Sequence, residues 1–118
     1  MKYALLIYPD ADHEATLAED EQKAVSAEYL AFREDPRCLG GAHLQPGETA
    51  TTVRSRGGEK LILDGPYADT KEVFAGYFVF EAADLDEVVE VAQRIPAVRH
   101  GGAVEVRPLF EIPAEATF

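Results

Sequence analysis

The sequence predicts an α+β fold of the split βαβ, or ferredoxin-like, type, and three observations predict it. Two segments carry helical spacing of apolar residues, and six short segments read as strands. Gly and Pro signals separate them in the order β-α-β-hairpin-β-α-β. With the hairpin at 49–63 set aside, the remaining order is that of the split βαβ motif. Right-handed crossovers then place both helices on one face of an antiparallel sheet.

The elements follow in order. Residues 3–8 are short and apolar and are stopped by Pro9, which reads as a buried strand. Thr16 with Glu19 fits a capping box, so a helix is expected over 17–34, with Val25, Tyr29 and Phe32 as its inner stripe and Pro36 as its stop. A short strand at 41–45 precedes Pro46-Gly47. The Thr- and Val-rich stretch 49–56, Gly57-Gly58 and 60–63 form a hairpin with a two-residue turn. The most apolar strand is 73–81, around Tyr77-Phe78-Val79-Phe80. Asp84 with Glu87 opens a second helix, with Leu85, Val88, Val89, Ala92 and Ile95 as its stripe and Pro96 as its end. A last strand is expected over 103–110, where Val104 and Val106 alternate with Glu105 and Arg107. The apolar run at 77–80 implies burial on both sides of its strand. No third helix exists to cover the second face, so the sequence predicts a homodimer packed sheet to sheet.

Length and charge bound the function. The chain's 118 residues suit one domain, 1–118, and 47% hydrophobic with 28% charged residues marks it as globular. A net charge of −11 with scattered basic residues excludes nucleic acid, whose phosphates demand clustered Lys and Arg, and disfavours anionic membranes. Cys38 is the single cysteine, so no intrachain disulfide forms. The apolar N-terminal stretch is too short for a signal peptide or a span, so the expected location is cytoplasmic.

The chemistry is concentrated in Asp64-Gly65-Pro66-Tyr67-Ala68-Asp69-Thr70-Lys71-Glu72, five of whose nine residues ionise or donate a phenol. Read locally, this is a polar turn set by Asp64, Gly65 and Pro66. His100, before Gly101-Gly102, is the candidate base, because an imidazole takes and returns a proton near neutrality. Its plainer role is to cap the second helix or bond a turn carbonyl. His13 lies in a polar loop and His43 on a short strand, and both rank lower. No His or Cys pair has ligand spacing, so neither a metal nor another cofactor is expected. No nucleophile elbow, phosphate loop or dinucleotide fingerprint is present.

The same segment resembles the D-G-P-F-x-E-x-K-E signature of the DGPF family, part of the YCII-related superfamily. The likeness runs through Tyr3-Ala4-Leu5-Leu6-Ile7-Tyr8, Gly40-Gly41, Leu44-Gln45-Pro46, Ala50-Thr51-Thr52-Val53-Arg54, Gly76-Tyr77, Asp84-Leu85-Asp86-Glu87 and the stretch from His100 to Pro108. The resemblance implies a dimeric α+β barrel. It also points to a superfamily that includes a dehydrochlorinase-like enzyme, with a fold similar to muconolactone isomerases and small monooxygenases. DGPF members are associated with sigma factors. Tyr67, Asp69 and Ala42 depart from the usual Phe, Glu and Glu. The superfamily's His–Asp pair uses a His on the first helix, and the helix expected at 17–34 has none.

Three readings follow. In the first, the chain is a cofactor-free lyase or isomerase for a small molecule. His100 is then the base and Asp64 or Glu72 the partner acid, while Lys71, Asp69 and Tyr67 bind substrate. In the second it is a ligand-binding or regulatory module with a partner such as a sigma factor. In the third the segment at 64–72 only locks a turn and an interface.

Overall fold

A computed structural model describes residues 1–68 and 73–111, and the alternation of strand β1 (Lys2–Tyr8) sets its architecture. Tyr3, Leu5 and Ile7 are buried on one side, while Ala4, Leu6 and Tyr8 are half-buried on the other. The chain continues through α1 (Ala11–Glu14), α2 (Glu19–Glu34), β2 (Cys38–His43), β3 (Thr51–Arg56) and β4 (Glu59–Asp64). It then forms β5 (Gly76–Glu81), α3 (Leu85–Gln93), α4 (Pro96–Arg99) and β6 (Ala103–Pro108).

Strands β2, β5, β1 and β6 lie side by side in that order, and every neighbouring pair is antiparallel. The β1–α2–β2 connection therefore steps over β5, and β5–α3–β6 steps over β1. This is the α+β arrangement expected from the element order. Strands β3 and β4 pair only with each other, as a separate two-stranded sheet. Gly57 and Gly58 have φ of +59° and +83°, the left-handed pair that a two-residue hairpin turn requires.

The core lies between the sheet and α3–α4. Leu5, Phe80 and Val88 have no exposed surface, and Val91, Ile95 and Ala97 have almost none. Each large side chain buried this way contributes about 1.5–3 kcal/mol. Helix α2 is different, for none of its residues is fully buried. Its stripe reaches the core at Tyr29 and Phe32, whose rings stand 6.4 and 6.0 Å from Phe78.

The second sheet face carries Ala4, Leu6, Tyr8, Tyr77 and Val79 in adjacent registers, all half-buried, with Lys2 opposite Glu81 at its rim. No described element covers it. Phe74 packs on Tyr8 at one end, ring to ring at 5.6 Å.

Several boundaries differ from expectation. Thr16 does not cap the long helix, because its hydroxyl donates to the His13 carbonyl at 2.6 Å. The cause is a one-turn helix at Ala11–Glu14 that the loop reading missed, begun by Asp10, whose carboxylate accepts from the His13 N–H at 3.1 Å. Helix α2 starts two residues later than expected, with no side-chain cap, and Glu19, Asp20 and Glu21 supply negative charge to its first turn. Strand β2 begins at Cys38 rather than 41, through a bulge between Cys38 and Gly40. Strand β5 begins at Gly76 rather than 73, although Ala75 still donates its N–H to the Ile7 carbonyl and accepts from the Leu44 N–H. Pro96 ends α3 as expected but also opens α4 as a first-turn residue.

The second expected cap is present. Asp84 accepts from the Glu87 N–H at 2.9 Å, and Glu87 accepts from the Ala83 N–H at 2.8 Å. Arg37 joins this cap to the end of α2, donating to Asp35 at 2.9 Å and to Glu87 at 3.2 Å. The bond from Arg37 holds the Asp35 carboxyl below its ordinary range. The Ala83 N–H, followed by Arg37, does the same for Glu87.

Two outcomes are expected from equilibrium urea unfolding. Asp84→Ala costs about 1 kcal/mol, as loss of an N-cap does. Thr16→Ala costs less than about 0.5 kcal/mol, since its hydroxyl serves only an exposed turn. Depressed carboxyls stabilise the fold above their ordinary values, 3.8 for Asp35 and 4.5 for Glu87, and lose that contribution as pH falls through the lower folded values. The stability gap between the native chain and Arg37→Gln therefore narrows on acidification. A gap that is constant from neutrality down into the acid range would contradict this role for Arg37.

Candidate functional site

The site builds from one end of the sheet. Ile7 of β1 pairs with Gly76 of β5, and Gly76 pairs with His43 of β2, so the three form a row across the sheet. A Cβ on Gly76 would lie 2.6 Å from the Ala42 carbonyl oxygen, so no side chain fits there. A cleft of about 690 Å³ lies between α2 and the sheet, with this row in its lining. That volume lies within the range of small-molecule sites. Ile7, Val25 and Phe78 give it apolar walls, and Ser26, Tyr29, Arg33 and His43 bring polar groups to the lining.

Burial pushes the Tyr29 phenol up to about 12, and the nearby Glu14 carboxylate acts in the same direction. Tyr29 is thus a protonated hydrogen-bond donor at neutral pH. Pro9, Ala11 and Glu14 also line the cleft, so the segment that opens α1 forms part of its wall.

The same segment holds a second group of side chains. The His13 and His100 rings stand 5.7 Å apart, tilted by 31°. Gly101 takes φ +88°, and a Cβ there would lie 3.2 Å from Asp10 Oδ2. Glycine at 101 thus admits the Asp10 carboxylate next to the residue that follows His100. His100 itself caps α4, its N–H donating to the Ala97 carbonyl at 3.3 Å. The helix expected at 17–34 carries no His, as read from the sequence, and His13 sits on α1, the additional one-turn helix that precedes it. Helix α4 is tied in turn to α2, because Arg99 donates to Glu28.

The structure places the other expected site residues elsewhere. Asp64 is exposed at the end of β4. The following Gly65 bonds the hairpin base: its N–H donates to the Ala50 carbonyl at 2.8 Å, and its carbonyl accepts from the Thr52 hydroxyl at 2.7 Å. Tyr67 is 73% exposed, with the Arg54 guanidinium 5.3 Å above its ring. No hydrogen bond or ion pair among the described residues joins Asp64 to His100. Asp69, Lys71 and Glu72 lie outside the described residues. His100 is not among the described residues that line the cleft.

Sequence reasoning passed over Asp10 and ranked His13 and His43 low. The signal for His43 was present, since the pairing of β2 with β5 puts its side chain on the face of Gly76. Among the described residues no group of three or more His, Cys, Asp or Glu side chains is arranged to hold a metal ion. None of the described helices is long and apolar enough to cross a membrane.

Fold and site together define a two-layer α+β protein with a small-molecule-sized cleft under its longer helix. The chain belongs to the YCII-related domain family, which matches residues 1–113. It is also 33% identical over 114 residues to an uncharacterized protein of Rhizobium meliloti (strain 1021), covering 92% of each chain.

The cleft makes a spectroscopic prediction. Of the five tyrosines, Tyr29 ionises only as pH rises to about 12, seen in tyrosinate absorbance and lost in Tyr29→Phe. A raised phenol pKa contributes stability that is complete below the ordinary value of 10.0 and is lost as pH rises through about 12. Tyrosinate absorbance that rises identically in the variant and the native chain, apart from one residue's amplitude near 10, would show that the phenol is not buried as described.

Proposed function

We propose that this chain binds a small, largely apolar molecule in the α2–sheet cleft and moves a proton on it without a cofactor, as a lyase or isomerase does. One observation carries the reading: the cleft wall at Pro9, Ala11 and Glu14 belongs to the segment that gathers Asp10, His13 and His100. The sequence reading of His100 as the base is retained on its place beside the cleft wall, with His13 5.7 Å away ring to ring and Asp10 against the adjoining Gly101 in place of Asp64. Glu72 as partner acid, and Lys71 and Asp69 as substrate-binding groups, extend the reading on sequence grounds. The neutral Tyr29 phenol donates a hydrogen bond to an oxygen of the bound molecule, and Arg33 offers a counter-charge for a carboxylate.

Within the YCII-related family the chain is assigned to the DGPF branch on the segment that begins Asp64-Gly65-Pro66-Tyr67. The open sheet face, with Leu6, Tyr8, Tyr77 and Val79, supports a homodimer closed sheet to sheet as a dimeric α+β barrel.

A second reading, binding without turnover, is favoured by the fact that neither imidazole of the pair lines the cleft itself. The chain would then sense a ligand and signal to a partner, such as a sigma factor.

The test is ligand-observed NMR with a set of aromatic and lactone carboxylates, followed by turnover assays on those that bind. Ser26→Phe fills the cleft and is expected to abolish binding. His100→Ala is expected to retain binding and lower turnover by roughly 10²–10⁴-fold, the usual range for loss of a general base. Binding that survives Ser26→Phe sinks the cleft. Binding with no turnover in the native chain favours the second reading.

A further inference from the structure

We infer that the cleft under α2 takes a bipolar molecule, one with an ammonium group for Glu14, a carboxylate for Arg33 and an apolar middle. The inference rests on the cleft reading proposed above and narrows the molecule that fills it.

Glu14 and Arg33 are the two formally charged side chains among the described residues that line the cleft, with His43 neutral. Neither takes part in an ion pair among the described residues, and they do not pair with each other. Arg33 is exposed, whereas Glu14 is half-buried. A carboxylate partly withdrawn from water gains from an opposite charge, and no described side chain pairs with this one.

The two charges stand at opposite ends of one ridge. Gln22, Ser26, Tyr29 and Arg33 recur at i, i+4, i+7 and i+11 on α2, so they share a face, and all four line the cleft. At about 1.5 Å of rise per residue, Gln22 and Arg33 are about 16 Å apart along the helix axis. Glu14 belongs to the Gln22 end. The Leu17 N–H donates to the Glu14 carbonyl at 3.1 Å, and the Leu17 carbonyl accepts from the Gln22 side-chain amide at 3.0 Å. Tyr29 lies between the ends of the ridge, its phenol raised first by burial and then by the Glu14 carboxylate. Ile7 and Phe78 give the sheet side of the cleft an apolar wall.

Simpler occupants leave a charge without its complement. A molecule with a carboxylate alone pairs with Arg33 but brings a second anion into a cleft that already holds Glu14, in a chain of net charge −11. A molecule with an amine alone leaves Arg33 unmatched. A molecule with both groups meets each charge with its opposite, and the span between them covers Ile7 and Phe78. Unlike ends also fix which way round the molecule lies.

The experiment is ligand-observed NMR titration of the full chain with 4-(aminomethyl)benzoate and two shape-matched controls. These are 4-methylbenzoate, which lacks the ammonium, and 4-methylbenzylamine, which lacks the carboxylate. The bipolar probe is expected to bind about fivefold or more tightly than either control, the scale of one partly exposed ion pair. Glu14→Gln is expected to erase its advantage over 4-methylbenzoate, and Arg33→Gln its advantage over 4-methylbenzylamine. Equal binding of the three probes, lost in Ser26→Phe, overturns the bipolar ligand and leaves the cleft standing. An advantage of the bipolar probe that both variants keep also overturns it. Binding that survives Ser26→Phe overturns the cleft and this inference with it. Failure of 4-(aminomethyl)benzoate to bind at millimolar concentration overturns the bipolar ligand, while the carboxylates of the earlier test still decide the cleft.

Discussion

Everything in this fold depends on one asymmetry: a four-stranded sheet with helices on a single side. The alternation of β1 and β5 sends Tyr3, Leu5, Ile7, Phe78 and Phe80 toward the helices. Their burial against Val88, Val91 and Ile95 supplies the apolar area that orders the chain. The other side chains of the same strands have no such partner. Leu6, Tyr77 and Val79 are nevertheless as apolar as the inner set, which a solvated face would not require. The open face and the core are thus two consequences of one strand pattern.

The helix layer is itself uneven. Helix α3 sinks Val88, Val91 and Ala92 completely, whereas α2 touches the core only through Tyr29 and Phe32. A gap under α2 costs dispersion and hydrophobic energy, so a fold selected for stability alone would close it. On the sheet side Gly76 lets β2 approach closely, because the Ala42 carbonyl occupies the space a Cβ would need. Tyr29 lines the gap, and burial pushes its phenol up to about 12. The ionic link of Asp35, Arg37 and Glu87 is partly exposed and contributes little net energy of its own. Its effect is geometric, fixing where α2 hands over to β2 beside the start of α3.

Patterns of period two and 3.6 made most of the fold legible in the sequence. The hairpin turn at Gly57-Gly58, the cap at Asp84 and Glu87, and the strand order all follow from local chemistry and chain topology. The site was less legible because it is built from register and from short-range competition. The Thr16 hydroxyl had two acceptable roles, and only the Asp10–His13 bond decides against the cap. Once α1 exists, His13 meets His100, a contact across 87 positions that no spacing rule encodes. His43 faces the cleft only because the bulge after Cys38 shifts the register that follows. The ionisable segment at 64–72 was conspicuous by composition. Its described start nevertheless spends its polar groups on the hairpin base, through Gly65, Ala50 and Thr52.

That placement links parts the sequence presents separately. Phe74 packs on Tyr8 of the open face, and Ala75 and Gly76 line the cleft on the other. Tyr8 in turn leads directly through Pro9 to Asp10, against which Gly101 closes. The physical unit of the site is this whole end of the sheet, and the cleft and the His13–His100 pair are two views of it.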